Sequence, residues 1–334
     1  MAGFLEKTAL GQAIFDRWDL YLLHQRGAGK SLLDEESSLE YVRRSQDDYR
    51  LPQYLADLEH FRRQVFASAD ARWDLVFGSS WGGNLGLSYL RCFPRAARSF
   101  VLGSFDASRY STTLTPYVIE SAIWDAMHSL PQLEKILSEI MDLCRSGSIP
   151  INDNGSRVLR LKDLWALIFP YLAAFDLEGL ASLLRGVIKN DASMISKLKK
   201  VFADDELSIG ATIPAQATYL LELVDRDLIA TGRKAERECA FVDATWYGEA
   251  MRAQTLIFDA RGSDGLSSSA AVIAQDGVMF AGRYDPLICW RSVAATAANL
   301  PSVRFHLLPG GHSPFRQATP AMIADVCSLS NADR

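Results

Sequence analysis

Between Leu20 and Phe105 the chain switches repeatedly between two textures, and that alternation restricts its fold more than any other feature. "LYLL" (Leu20–Leu23) reads as a short buried strand running into a Gly-rich loop. "LPQYLADLEHFRRQVF" carries Leu51, Leu55, Leu58, Phe61 and Val65 at helical spacing, with Asp57, Glu59 and Arg62 on its polar face. "DLVFG" is strand-like, "NLGLSYLRCFP" is helical up to Pro94, and "SFVLGSF" is another strand. Strand, helix, strand, helix, strand predicts an α/β architecture, a mostly parallel sheet with flanking helices.

From residue 106 to residue 275 long helical patterns take over, among them "PQLEKILSEIMDLC", "DLWALIFPYLAAF" and "LEGLASLLRGVIKN". The expected organisation is therefore a core over 1–105, an inserted and largely helical cap over 106–275, and a second core part over 276–334. That second part resumes with strands in "GVMFAGRYDP" and "VRFHLLPGGH", a helix across "CWRSVAATAANL" between them, and a closing helix in "TPAMIADVCSLS". At the other end "MAGFLEKTALGQAIFDRW" reads as a helix. A length of 334 residues suits one large domain or a core with an inserted lobe, and 49% hydrophobic residues supports a large core.

The composition also narrows the partners. A net charge of −5 gives no reason to expect nucleic acid, which favours a basic face. No apolar run reaches the ~18 residues of a membrane span, so no membrane partner is expected. The start does not read as a signal peptide. Five scattered cysteines, an odd count without a CxxC pair, fit reduced thiols in a cytoplasm, each read as a small buried hydrophobe. No His, Cys or carboxylate cluster has ligand spacing, so neither metal nor organic cofactor is expected.

"DLVFGSSWGGNLGLSYL" contains Gly78-Ser79-Ser80-Trp81-Gly82, a G-x-S-x-G pattern between a strand and a helix. A serine nucleophile needs a sharp strand-to-helix turn that lifts its hydroxyl clear of the sheet, and glycines two residues to either side avoid clashes there. The competing reading is a tight turn in which glycines let the helix pack close to the sheet. Ser80 is the candidate nucleophile and Ser79 a packing neighbour. The helix N-terminus, beginning with the Trp81 N–H, would serve a developing oxyanion.

A serine hydroxyl needs a base and the base an orienting acid. Of five histidines, His60 reads as a solvent-facing helix residue, His128 lies in the cap, His306 lies within a strand and His24 follows one. His312, in "LLPGGHSPF", sits on a loop after a strand and behind two glycines. Asp285, in "MFAGRYDPLI", follows the preceding strand, with room for one helix and one strand between the two. Ser80, Asp285, His312 is the chain order of α/β-hydrolases. The three positions in this order favour catalysis over the tight turn. Activity is expected to rise with pH as His312 loses its proton, around pH 6–7.

With these residues in place the chain resembles the proline iminopeptidase family of α/β-hydrolases. "HQRGAGKS", "YLADLEHFRRQV", "GSSWGGNLGLSYLRCFP", "GRYDP" and "PGGHSPF" are similar to that family's Gln-Arg-Gly loop, helix, nucleophile, acid and histidine segments. The resemblance covers most of the two core segments; the cap matches poorly. It implies hydrolysis at an N-terminal residue, commonly proline, of a small peptide or amide, and carboxylates in the cap that hold the α-amine. Candidates are Glu222, Asp225 and Glu249, although on the residues alone a solvated helix charge is favoured for each.

Two departures qualify the resemblance. His24 stands where the family's loop begins with Asp. The family's HGGPG segment, source of a second oxyanion donor, has no counterpart before Leu20. Loss of one such donor costs ~10²–10³ in rate. An expected truncation, a homo-oligomeric partner lending donors and strand edges, and lost activity all remain open readings. The leading function is a serine aminopeptidase working through an acyl-enzyme. The alternatives are an esterase or amidase on small acyl substrates, and a catalytically impaired remnant that binds a ligand or partner.

Overall fold

A computed structural model describes residues 6–26, 29–31, 48, 50–68, 70–105, 115–150, 158–196 and 273–331. Four strands, β1 (Trp73–Ser79), β2 (Ala97–Gly103), β3 (Asp276–Gly282) and β4 (Val303–Leu308), form one parallel sheet in the order β1-β2-β3-β4. The register pairs Ser79 with Gly103, Gly103 with Phe280, and Gly282 with Leu308. The carboxyl ends of the strands are thus level, and the loops that leave them meet along one rim of the sheet.

Alternation along the strands divides the core into two layers. Val101, Val278 and Phe280 face helices α1 (Ala9–Phe15) and α9 (Pro320–Ser328) through Leu10, Ile14, Met322 and Val326. Phe100, Leu102, Met279 and Ala281 face α3 (Trp81–Cys92) and α8 (Trp290–Ala298) through Leu87, Leu90, Val293 and Ala297. Beyond Ser99 in β2 and Asp276 in β3 both faces are buried, which is why "FVLG" and "GVMFAG" are apolar without a polar alternate.

Between β2 and β3 run α4 (Thr115–Ser129), α5 (Gln132–Ser146), α6 (Leu161–Ala174) and α7 (Leu177–Ile188). They share a core of their own, built from Ile123, Leu137, Ile140, Leu164, Leu172, Leu180 and Leu184. Helix α5 ends on Gly147, whose φ of 66° only glycine adopts without strain. Tyr284 of the rim belongs to this helical core and stacks on Phe175 at 5.0 Å. The helical layer is therefore seated on the loop that carries Asp285.

Three sequence expectations need correction. Leu20–Leu23 is not a strand of the sheet. Tyr21 packs against Phe61 and Trp73 by ring contacts while Tyr21, Leu22 and Leu23 stay exposed, so an apolar run here reflects side-chain packing without a ladder. Cys92, the last residue of α3, is exposed and Cys289 and Cys327 are half-buried, whereas Cys144 is buried as expected and Cys239 lies outside the described residues.

The third correction concerns α2 (Leu51–Val65), where Glu59 and Arg62 are buried instead of lying on a polar face. Glu59 accepts from Arg62 at 2.8 and 3.0 Å, from Arg63 at 2.8 Å and from the Tyr89 hydroxyl at 3.0 Å. Arg62 also donates to the Ala71 carbonyl. The arginine hydrogen bonds, despite burial, bring the Glu59 carboxyl from 4.5 to about 2. Glu59→Ala strands the buried Arg62 charge and is expected to cost about 3–5 kcal/mol, read by urea unfolding. Because the folded-state value is depressed, the carboxylate's contribution is present above pH 4.5 and lost as pH falls toward about 2. Urea midpoints that stay flat between pH 5 and about pH 2.5 count against this role.

Candidate active site

Each of the three residues singled out on the rim owes its place to a different strand. Ser80 follows β1 directly and caps the start of α3 with φ 56° and ψ −127°, a conformation an L-residue rarely adopts. The turn is tight because α3 begins at once: a Cβ on Gly78 would lie 2.2 Å from the Gly82 carbonyl oxygen. Only glycine fits at Gly78. Gly82 itself meets nothing within 4 Å, and it is Gly83 whose missing Cβ makes room for Phe105. The two glycines of the pattern are thus not equivalent, contrary to the expectation that both relieve clashes. Gly78→Ala is expected to remove Ser80 reactivity, with a loss of about 10²-fold or more from displaced geometry, while Gly82→Ala keeps the fold. Labelling rates with a fluorophosphonate check the pair.

Asp285 lies in the turn after β3 and is 3% exposed. Its Oδ1 accepts the backbone N–H groups of Leu287 at 2.9 Å and Ile288 at 3.0 Å. This fixes the carboxylate without using up its second oxygen. His312 lies after β4. Its Nδ1 is 3.0 Å and 3.1 Å from the two Asp285 oxygens, and its Nε2 is 2.9 Å from Ser80 Oγ. With Nδ1–H donating to Asp285, Nε2 is left to accept from the serine hydroxyl. Burial alone would lower the imidazole pKa, but the charge and hydrogen bond of Asp285 outweigh it and hold His312 above 6.5.

The histidine loop is anchored from above. The His312 N–H donates to the Ala173 carbonyl at 3.1 Å, and a Cβ on Gly311 would sit 2.0 Å from the Leu172 carbonyl oxygen. Gly311 permits this backbone-to-backbone approach between the rim and the end of α6. Nearby, Tyr284 and Ser129 share a hydroxyl hydrogen bond, and Arg283 lies 3.9 Å from Asp125.

On the serine side, Trp81 opens α3, and its main-chain N–H has no backbone acceptor among the described residues. Such a free N–H at a helix start can serve an anion. The Trp81 indole N–H donates to Gln25 Oε1 at 2.8 Å. Sequence reasoning gave Gln25 no role, and nothing local could have, since the partners are 56 residues apart. The Ala173 carbonyl was missed for the same reason.

The remaining histidines do not join the site. His306 binds Asp325 of α9 at 2.9 Å, His60 and His128 are exposed, and the His24 ring accepts the Lys30 N–H at 3.1 Å. Glu222, Asp225 and Glu249 lie outside the described residues. Among the described residues no group of three or more His, Cys, Asp or Glu side chains is placed to hold a metal, and no helix is long and apolar enough to cross a membrane.

A strand-to-helix turn carrying a serine, followed in chain order by an acid and a histidine after later parallel strands, is the arrangement of the α/β-hydrolase fold. No family model matches the chain, and no curated protein matches it in sequence. Similar solved structures include an alpha/beta fold family hydrolase from Bacillus anthracis, at 14% identity and TM-score 0.40, covering 93% of this chain and 80% of that one. An esterase from Exiguobacterium antarcticum follows at 14% and 0.38, covering 92% and 80%. An epoxide hydrolase from Bacillus megaterium follows at 13% and 0.37, covering 85% and 77%. Scores this low carry no argument about the reaction.

Proposed function

We propose that this chain is a serine hydrolase that cleaves an ester or amide through an acyl-enzyme. The observation that carries the reading is the continuous hydrogen-bonded line from Asp285 through His312 to Ser80. His312 Nε2 takes the hydroxyl proton as Ser80 Oγ attacks the acyl carbon. The tetrahedral oxyanion forms beside the Trp81 N–H. The leaving group departs with the proton held on Nε2, and water then repeats the cycle on the ester of Ser80. Asp285 keeps its proton-free form throughout and stabilises the imidazolium.

The finer reading is release of an N-terminal residue, commonly proline, from a small peptide. It is supported by the resemblance of the "HQRGAGKS", "GSSWGG", "GRYDP" and "PGGHSPF" segments to proline iminopeptidases. Fluorophosphonate should form an adduct on Ser80, located by peptide mass. Absence of an adduct refutes the hydrolase and favours a non-catalytic binding protein. A proline arylamide should be cleaved faster than a short-chain acyl ester; turnover of the ester alone refutes the aminopeptidase and leaves an esterase.

A further inference from the structure

Ser80 holds a backbone conformation that persists only where its surroundings over-determine it. Toward β2 the restraint is plain: the Ser80 N–H donates to the Gly103 carbonyl at 2.9 Å. On the other side of β1 no strand pairs with it among the described residues. In the segment from His24 to Ser31, the described residues 24–26 and 29–31 reach the start of α3 and α2 instead.

That segment is held at three points. The Lys30 N–H donates to His24 Nδ1 at 3.1 Å, and the Ser31 hydroxyl donates to the His24 carbonyl at 2.9 Å. Arg26 binds Asp57 of α2 through two bonds of 2.7 Å. Between these fixed neighbours lies Gln25, and its Oε1 accepts the indole N–H of Trp81 at 2.8 Å. Tyr54 of α2 meets the same indole edge-on at 6.0 Å. The residue immediately after Ser80 is therefore bound to a side chain whose neighbour Arg26 is tied to α2 and whose neighbour His24 closes the loop on itself.

We propose that Gln25 is a positioning residue for the Ser80 site. By fixing the Trp81 indole it holds the first turn of α3, and with it the Trp81 main-chain N–H, in line with the developing oxyanion. It adds a restraint on the residue after Ser80 to the one that the Gly103 carbonyl places on the Ser80 N–H. The inference rests on the serine hydrolase reading. The side-chain amide meets the requirement of the position, an acceptor oxygen for the indole proton.

The test uses the full chain, with p-nitrophenyl acetate as the probe and the indole ¹H–¹⁵N spectrum as a readout independent of activity. The Trp81 cross-peak is identified by its loss in Trp81→Phe. Gln25→Met, similar in size but without the acceptor, should shift that peak and lower kcat about 10- to 100-fold, the scale of a small misplacement. KM should stay within about threefold, as for an interaction made only in the transition state. Gln25→Glu, which restores an acceptor, should keep the indole hydrogen-bonded and return kcat to within about fivefold of the parent. The role is overturned if Gln25→Met keeps kcat within about twofold, or if Gln25→Glu is as impaired as Gln25→Met. A parent that neither turns over the ester nor takes fluorophosphonate refutes the hydrolase reading itself. An active parent with an unaffected Gln25→Met refutes only the part given to Gln25.

Discussion

Ser80→Ala is expected to abolish fluorophosphonate labelling and to lower acyl turnover by about 10⁴- to 10⁶-fold, the range seen when a serine nucleophile is removed from a triad. The loss is large because the hydroxyl is the only atom that forms the covalent intermediate. His312 and Asp285 without it hold a base over an empty position. The variant should fold normally: alanine keeps the turn's backbone hydrogen bond to Gly103, and the strain of φ 56° is the same for alanine as for serine. Matching unfolding curves for parent and variant, together with lost turnover, are the required pair of results. Retained turnover in Ser80→Ala would place the chemistry elsewhere.

Asp285→Asn is expected to come second, with a loss of about 10⁴-fold in kcat. The asparagine oxygen can still accept from Leu287 and Ile288, so the loop should keep its shape. Its amide then presents hydrogens to His312 Nδ1, which selects the tautomer with the proton on Nε2, facing Ser80. That tautomer cannot accept the serine proton. The substitution also removes the charge that holds His312 above 6.5, leaving burial to lower it. Catalysis needs the neutral imidazole, so in the parent activity should rise through a midpoint above pH 6.5. In Asp285→Asn the ring should titrate at lower pH, followed by its ring-proton NMR shifts. A parental midpoint at or below 6.5, or a variant that titrates with the parent, contradicts the assigned pairing.

The order of strands and helices in the core was readable because β2 and β3 are apolar on both faces and α3, α8 and α9 carry helical spacing between clear stops. The positions of Ser80, Asp285 and His312 were readable for a related reason. Each lies at the junction of a strand with Gly- or Pro-containing sequence, and parallel strands send such junctions to one rim. Leu20–Leu23 misled because an apolar run that rests on ring contacts and stays exposed has the same composition as a paired strand. Glu59 and Arg62 misled because a carboxylate and a guanidinium that neutralise each other can occupy a buried stripe, while a hydropathy pattern treats each as solvent-seeking. Gln25, Ala173 and Gly311 were silent because their roles come from contacts made by main-chain carbonyls or by partners distant in sequence.

The bond from the His312 N–H to the Ala173 carbonyl ties the loop that carries the imidazole to the end of α6. Helix and loop share one pin, so a shift of α6 is carried to the loop that sets the Nε2-to-Ser80 distance. A lineage or a designer that exchanged this helical segment for another would therefore also reset where the imidazole stands relative to the Ser80 hydroxyl.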